Sequence, residues 1–173
     1  LVVTTMLPVY IPLDFIDKSS KNFEIPITWQ IPTIILLTLI FDKKVVNKAF
    51  SIYIFLGLFI APVFHQGGSI GYLLTPNFGY LLGLYPLIKI IDKLNTKNKI
   101  NSGNFLINGF IAICALHLTG IFYNFIQILF FSQFNIFLYN LGKYSLGKIG
   151  YHFLMLFPLL LLIKPIKHLK KSK

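Results

Sequence analysis

The chain has 173 residues, 55% of them hydrophobic and 12% charged, with 16 lysines, no arginine and 5 acids, for a formal net charge of +11. A soluble domain carries roughly 25% charged residues, so half that fraction excludes a water-soluble globule. Long apolar runs separate the lysines, and the arginines that read base edges and phosphates are missing, which excludes a nucleic-acid surface. What remains is the pattern of a polytopic, all-α membrane protein lying in a lipid bilayer.

The opening apolar stretch, 1–13, contains Pro8 and Pro12. It is shorter than the roughly 20 residues a helix needs to cross the hydrocarbon core. It reads as the second half of a first span truncated at its start, because no basic segment or small-residue cleavage site marks a signal peptide. A polar segment from Asp14 to Glu24 follows, and then an apolar run over 25–41 that Asp42-Lys43-Lys44 stops. The next run, 45–64, ends at His65-Gln66-Gly67-Gly68. A fourth, 70–91, is interrupted by Gly71, Pro76, Gly79 and Gly83, which is tolerated only where freed backbone groups face protein or a cavity. The lysine-bearing loop 92–104 leads into a fifth span over about 105–127, and the last covers 147–164 before a lysine tail. The reading is a six-helix transmembrane bundle forming one domain over 1–173.

The lysines orient this bundle. Twelve of the sixteen flank the inner ends of the second, fourth and sixth spans, at 43, 44 and 48, then 89, 93, 97 and 99, then 164, 167, 170, 171 and 173. Only Lys18, Lys21, Lys143 and Lys148 fall outside these flanks. By the positive-inside rule both termini are cytoplasmic, and the protein is a multi-pass component of the cell membrane.

With this orientation, polar and aromatic residues gather at the outer end: Thr28-Trp29-Gln30, the 65–68 loop, and Tyr72, Asn77 and Tyr80. Polar groups inside spans are costly and usually face an interior cavity, so a small-molecule site open to the outside is expected. Each residue also has a packing role available. Trp29, Tyr72 and Tyr80 suit an aromatic belt, and Gln30 and Asn77 suit interhelical hydrogen bonds. His117 lies alone in the fifth span and reads as a packed, hydrogen-bonded histidine rather than a metal ligand. Lone Cys114 reads as a small hydrophobe. All five acids lie in loops or at span ends. No HExxH, Gly-x-Ser-x-Gly or phosphate-loop motif is present. Enzymatic activity, a metal and a cofactor are therefore not expected.

Two segments carry a family resemblance. Pro26-Ile-Thr-Trp-Gln30, opening an apolar span, resembles the Pro-Val-Thr-Leu-Gln signature of the BioY family of biotin transporters. Ala61-Pro-Val-Phe64, the Gly67-Gly68 loop, and Thr75-Pro76-Asn77-Phe78-Gly79-Tyr80-Leu-Leu-Gly83 resemble that family's Leu-Pro-Val-Phe, Gly-rich loop and Gly-Pro-Thr-Gly-Gly-Tyr-Leu-Leu-Gly block. The resemblance implies a substrate-capturing S component of an energy-coupling factor transporter. Such a subunit binds biotin at the outer face and works with a transmembrane coupling subunit and paired ATPases. It implies that Gln30, Asn77 and Tyr80 serve biotin's polar end, that Trp29 with Phe64 or Tyr72 walls its ring, and that Gly67-Gly68 is a flexible gate. The family's Pro-Gly-Asp-x-x-Lys element falls on Leu146-Gly147-Lys148-Ile149-Gly150-Tyr151, which puts Lys148 at the acid and Tyr151 at the lysine. Lys148 is then a candidate partner for a carboxylate, with Tyr151 beside it. Another vitamin-like ligand, or a structural membrane role without a ligand, are the alternatives.

Overall fold

The structure, a computed structural model, describes residues 1–11, 23–64, 67–96, 101–131 and 134–171. It begins with a short helix, α1 (Val2–Met6), and a two-stranded antiparallel ribbon of β1 (Pro8–Ile11) and β2 (Phe23–Thr28). Helices α2 (Gln30–Ile40) and α3 (Lys43–Phe59) follow, and a 3-10 turn over Ile70–Leu74 leads into α4 (Pro76–Leu82) and α5 (Leu84–Thr96). The long α6 (Ser102–Phe131) and the short α7 (Phe134–Asn140) come next. A π-helical turn over Leu141–Leu146 then runs into α8 (Gly147–Leu154), α9 (Leu156–Leu160) and α10 (Ile163–Lys171).

Proline chemistry explains where these elements depart from the apolar runs. The run expected to be helical from residue 25 stays extended until Thr28 and turns helical only at Gln30. Pro26 disfavours the α region for Ile25, and its missing N–H costs little in a ribbon whose strands are both edges. Residues 8–11, expected to continue a first helix, are the partner strand, with Val9 opposite Ile25. Helix α3 stops at Phe59 rather than 64, because Pro62 lies just beyond. The expected span 70–91 is three pieces. Pro76 occupies the first turn of α4, where its lost donor is harmless. Pro86 cannot donate to the carbonyl of Leu82, which accounts for the break at Gly83.

Among the described residues, α6 is the one helix that is long and apolar enough by itself to cross a bilayer, over Ser102–Phe130. Its 30 residues reach about 45 Å. It forms the wall against which α4, α5 and α8 pack. The core joins Ile34, Ile35 and Leu39 of α2 to Leu87, Ile88 and Ile91 of α5, all essentially without exposure. Large apolar side chains such as Phe122, Phe130 and Leu161 stay exposed, as a lipid-facing surface requires. Lys43 reaches Asp92 at 3.9 Å, so the α2–α3 turn and the end of α5 lie at the same end of the molecule, as the lysine pattern requires.

Helices α4 and α6 exchange side chains reciprocally. A Cβ placed on Gly79 of α4 would overlap Tyr123 of α6, and one on Gly120 of α6 would overlap the Tyr80 ring of α4. The Tyr123 hydroxyl donates to the carbonyl of Leu73, locking the pair to the 3-10 turn. Overpacking a filled site costs about 1–3 kcal/mol. Gly120→Val is expected to lower the thermal unfolding midpoint in detergent by several degrees, and adding Tyr80→Ala should restore part of it. A differential scan of the two variants measures both effects.

Candidate functional site

At the end of the molecule where β2 meets α2, a cavity of about 330 Å³ opens between the ribbon and helices α2 to α6 and α8. That volume lies within the roughly 300–1,000 Å³ of small-molecule pockets. Its aromatic wall is Tyr53, Phe64 and Tyr72. Phe64 meets Tyr53 edge-on with ring centroids 5.3 Å apart and lies 4.5 Å from the centroid of Tyr72. Leu81, Leu84 and Leu116 extend the apolar lining, and Thr5 and Pro8 border it from the N-terminal segment.

The polar groups converge from three directions. Gln30, in the first turn of α2, holds its Nε2 buried with no hydrogen-bond partner among the described residues. Asn77 and Tyr80 enter from α4. Lys143, Tyr144, Lys148 and His152 enter from the π turn and α8. On an α-helix, Lys143 and Lys148 would point about 140° apart. The wider π turn over 141–146 brings both ammonium groups to one tyrosine. Lys143 Nζ lies 5.3 Å and Lys148 Nζ 5.4 Å from the ring centroid of Tyr144, within cation–π range. No acidic side chain lines the cavity among the described residues.

Of the residues singled out in the sequence, Gln30, Phe64, Tyr72, Asn77, Tyr80 and Lys148 line this one cavity. Trp29, Gly67, Gly68 and Tyr151 do not. Trp29 sits half-exposed at the entry to α2, and Tyr151 packs on Val9 and Ile27 beneath the ribbon. Gly67 and Phe64 exchange backbone hydrogen bonds of 2.9 and 3.0 Å, with Gly67 at φ +118°. A Cβ on Gly68 would lie 2.6 Å from the Gly57 carbonyl oxygen and 2.7 Å from Pro62 Cα. Gly67 therefore closes the turn after Phe64 at a φ that favours glycine, and Gly68 fits because the Gly57 and Pro62 backbone lies where a Cβ would be. His65 and Gln66 lie outside the described residues.

Thr28, from the polar group expected at the outer end, also borders the cavity, as do Tyr144 and His152, to which the sequence assigned no site role. His152 had a legible signal, since it follows Lys148 by four residues on the same helix face. Lys143 and Tyr144 had none, because only the π turn brings them round. His117 is buried and hydrogen-bonded to Ser145 and His152, in line with its apolar setting.

The BioY family model matches residues 3–156 of the chain. A probable biotin transporter BioY from Lysinibacillus sphaericus is 30% identical over 108 residues, which are 60% of this chain and 54% of that protein. The chain thus matches about half the length of that relative. In three dimensions the chain is similar to the S-component for biotin from an ECF-type ABC transporter, solved by crystallography. The TM-score is 0.62 at 20% identity, covering 98% of this chain and 84% of that one.

The packing of Gly68 sets a contrast with Gly71, where an added Cβ has only ordinary contact with Ser69 Oγ at 3.5 Å. Gly68→Ala is expected to cost about 1–3 kcal/mol, and Gly71→Ala far less. At roughly 2–4 °C per kcal/mol for a chain of this size, their unfolding midpoints in detergent should separate by several degrees.

Proposed function

The chain belongs to the BioY family, and from that premise we propose that it is the substrate-capturing S component of an energy-coupled biotin uptake transporter. It is a helical membrane protein by family and fold. Biotin combines a ureido ring that needs paired hydrogen bonds, an apolar thioether ring and a carboxylate. The observation that carries the reading is a cavity with matching parts: an aromatic wall of Tyr53, Phe64 and Tyr72, amides from Gln30 and Asn77, and two lysines with no acid in the lining among the described residues. Lys148 is half-buried and Lys143 lies exposed at the rim, and cations so placed suit an anionic ligand. Such a subunit supplies binding and leaves the energy of transport to a coupling subunit and ATPases.

The substrate-contacting residues we assign are Gln30, Phe64, Tyr72, Asn77, Tyr80 and Lys148. We further infer a single multi-pass domain over 1–173 with both termini cytoplasmic and the cavity facing outward. The join of Lys43 to Asp92 at the end away from Lys143 and Lys148 supports that orientation.

A second ligand is favoured by one observation: a lysine stands at position 148 where the family pattern has an acid. A carboxylic acid with an apolar ring and no ureido group, such as lipoate, would use the wall and the lysines alone.

Equilibrium binding of radiolabelled biotin to the purified protein in detergent tests the assignment. Saturable binding is expected, weakened about tenfold or more by Tyr72→Ala and by Lys148→Ala. Absence of saturable binding removes biotin as the ligand, and displacement by lipoate at lower concentration than by biotin itself favours the second ligand. Orientation is tested separately in a Cys114→Ala background. Lys143→Cys should react with a membrane-impermeant maleimide on intact cells, whereas Lys44→Cys should react only after lysis.

A further inference from the structure

The polar end of the cavity contains side chains that substrate capture, as described, leaves unused. His152 borders the cavity, and behind it His117 and Ser145 are each only 2% exposed. Three hydrogen bonds connect them in series. His152 Nδ1 lies 3.0 Å from His117 Nε2, His117 Nδ1 lies 3.2 Å from Ser145 Oγ, and Ser145 Oγ lies 2.8 Å from the Tyr80 hydroxyl. Both ends of the series, His152 and Tyr80, border the cavity, and the two middle members do not. Among the described residues, Nε2 of His152 is the one ring nitrogen of the series with no protein partner.

A neutral imidazole has one N–H and one lone pair, so with both rings neutral the direction of the His117–His152 bond fixes both tautomers and the direction of the His117–Ser145 bond. In one polarity Tyr80 donates to Ser145, Ser145 donates to His117 Nδ1, and His117 Nε2–H donates to His152 Nδ1. His152 then presents an Nε2–H to the cavity. In the other polarity His152 Nδ1–H donates to His117 Nε2 and His117 Nδ1–H donates to Ser145 Oγ, which lets the Tyr80–Ser145 bond run either way, and His152 presents a lone pair to the cavity. The two histidines always carry the proton on the same-named nitrogen, because unlike tautomers would oppose two lone pairs or two N–H groups at 3.0 Å.

We propose that His152, His117, Ser145 and Tyr80 form a two-polarity hydrogen-bond relay, and that an anionic ligand group beside Lys148 selects the polarity in which His152 donates its Nε2–H to that group. The proposal rests on the biotin-capture reading and deepens it by assigning the carboxylate end of the ligand to Lys148 and His152. An ionised carboxylate only accepts hydrogen bonds, so the polarity that presents a lone pair is incompatible with it. Lys148 stands one helical turn before His152, and the two present donors to the same group from one face. His152 is then a ligand-binding residue that favours the acid over its neutral derivatives. His117 and Ser145 are positioning residues that hold its proton on the outer nitrogen.

The test joins two measurements on the full-length protein in detergent. The first is two-bond 1H–15N spectroscopy of 15N-histidine-labelled protein, with signals assigned through His65→Gln and His168→Gln. The second is calorimetric affinity for biotin and for its primary amide. Without ligand, His117 and His152 should share one tautomer, and with biotin bound both should be Nε2–H. His152→Phe should lower biotin affinity about tenfold or more while changing amide affinity less than about threefold. Ser145→Ala should lower the preference for acid over amide by a smaller factor. Unlike tautomers, an imidazolium in the ligand-free protein, an Nδ1–H tautomer with biotin bound, or equal losses for acid and amide would each overturn the relay. If the wild-type protein binds no biotin, the capture reading falls, and the ligand-free spectrum together with one recorded in acetate decides the relay independently.

Discussion

The close approach of α4 to α6 is the constraint on which the site depends. Lipid offers helices little hydrophobic reason to associate, since acyl chains are as apolar as leucine side chains, and helices in a bilayer gain most from tight packing of small residues. Here the small residues are arranged reciprocally, with Tyr123 over Gly79 and Tyr80 over Gly120. Each tyrosine is an apolar ring bearing one polar atom that needs a partner, and each finds one, Tyr123 on the Leu73 carbonyl and Tyr80 on Ser145. The same contact that joins the helices thus delivers the Tyr80 hydroxyl to the cavity wall and anchors the 3-10 turn that carries Tyr72.

Charge is handled in the same economical way at the opposite wall. Two ammonium groups, Lys148 half-buried and Lys143 exposed at the rim, stand together with no carboxylate lining the cavity among the described residues, and they repel each other. Placing both against Tyr144 gives each the face of a π-system and leaves their donors available. Aromatic stabilisation holds the cations without neutralising them, so the positive potential persists until a ligand brings a counter-charge. An aspartate in place of the ring would have cancelled that potential in the empty state.

Much of this was readable in the residues, and the rest was hidden for definite reasons. The apolar runs and the sorting of lysines give a helical membrane protein directly. Gln30, Phe64, Tyr72, Asn77 and Tyr80 converge because each lies where a run begins or breaks, and such points gather at one end of a bundle. The ribbon was partly legible, since Phe23, Ile25 and Ile27 alternate with Glu24, Pro26 and Thr28, a period of two that a long apolar count obscures. The joining of Lys143 and Lys148 was not legible, because it depends on a π turn that inserts its extra residue without a sequence signature. The series from His152 to Tyr80 spans four helical segments, and hydrogen-bond order across segments leaves no periodicity to read.

The ribbon at the N-terminal end also constrains what can surround it. Among the described residues no third strand pairs with the ribbon, and unpaired peptide groups are not tolerated against hydrocarbon. β1 and β2 therefore need cover from the helices or from water, and Val9 and Ile27 find the first against Tyr151 and Met155, while Thr28 stands at the cavity. Helix α6, at about 45 Å, exceeds the roughly 30 Å hydrocarbon thickness, a surplus that tilt or polar-layer turns accommodate. A hydrated ribbon beside the cavity gives a polar small molecule a path to the mouth that avoids hydrocarbon.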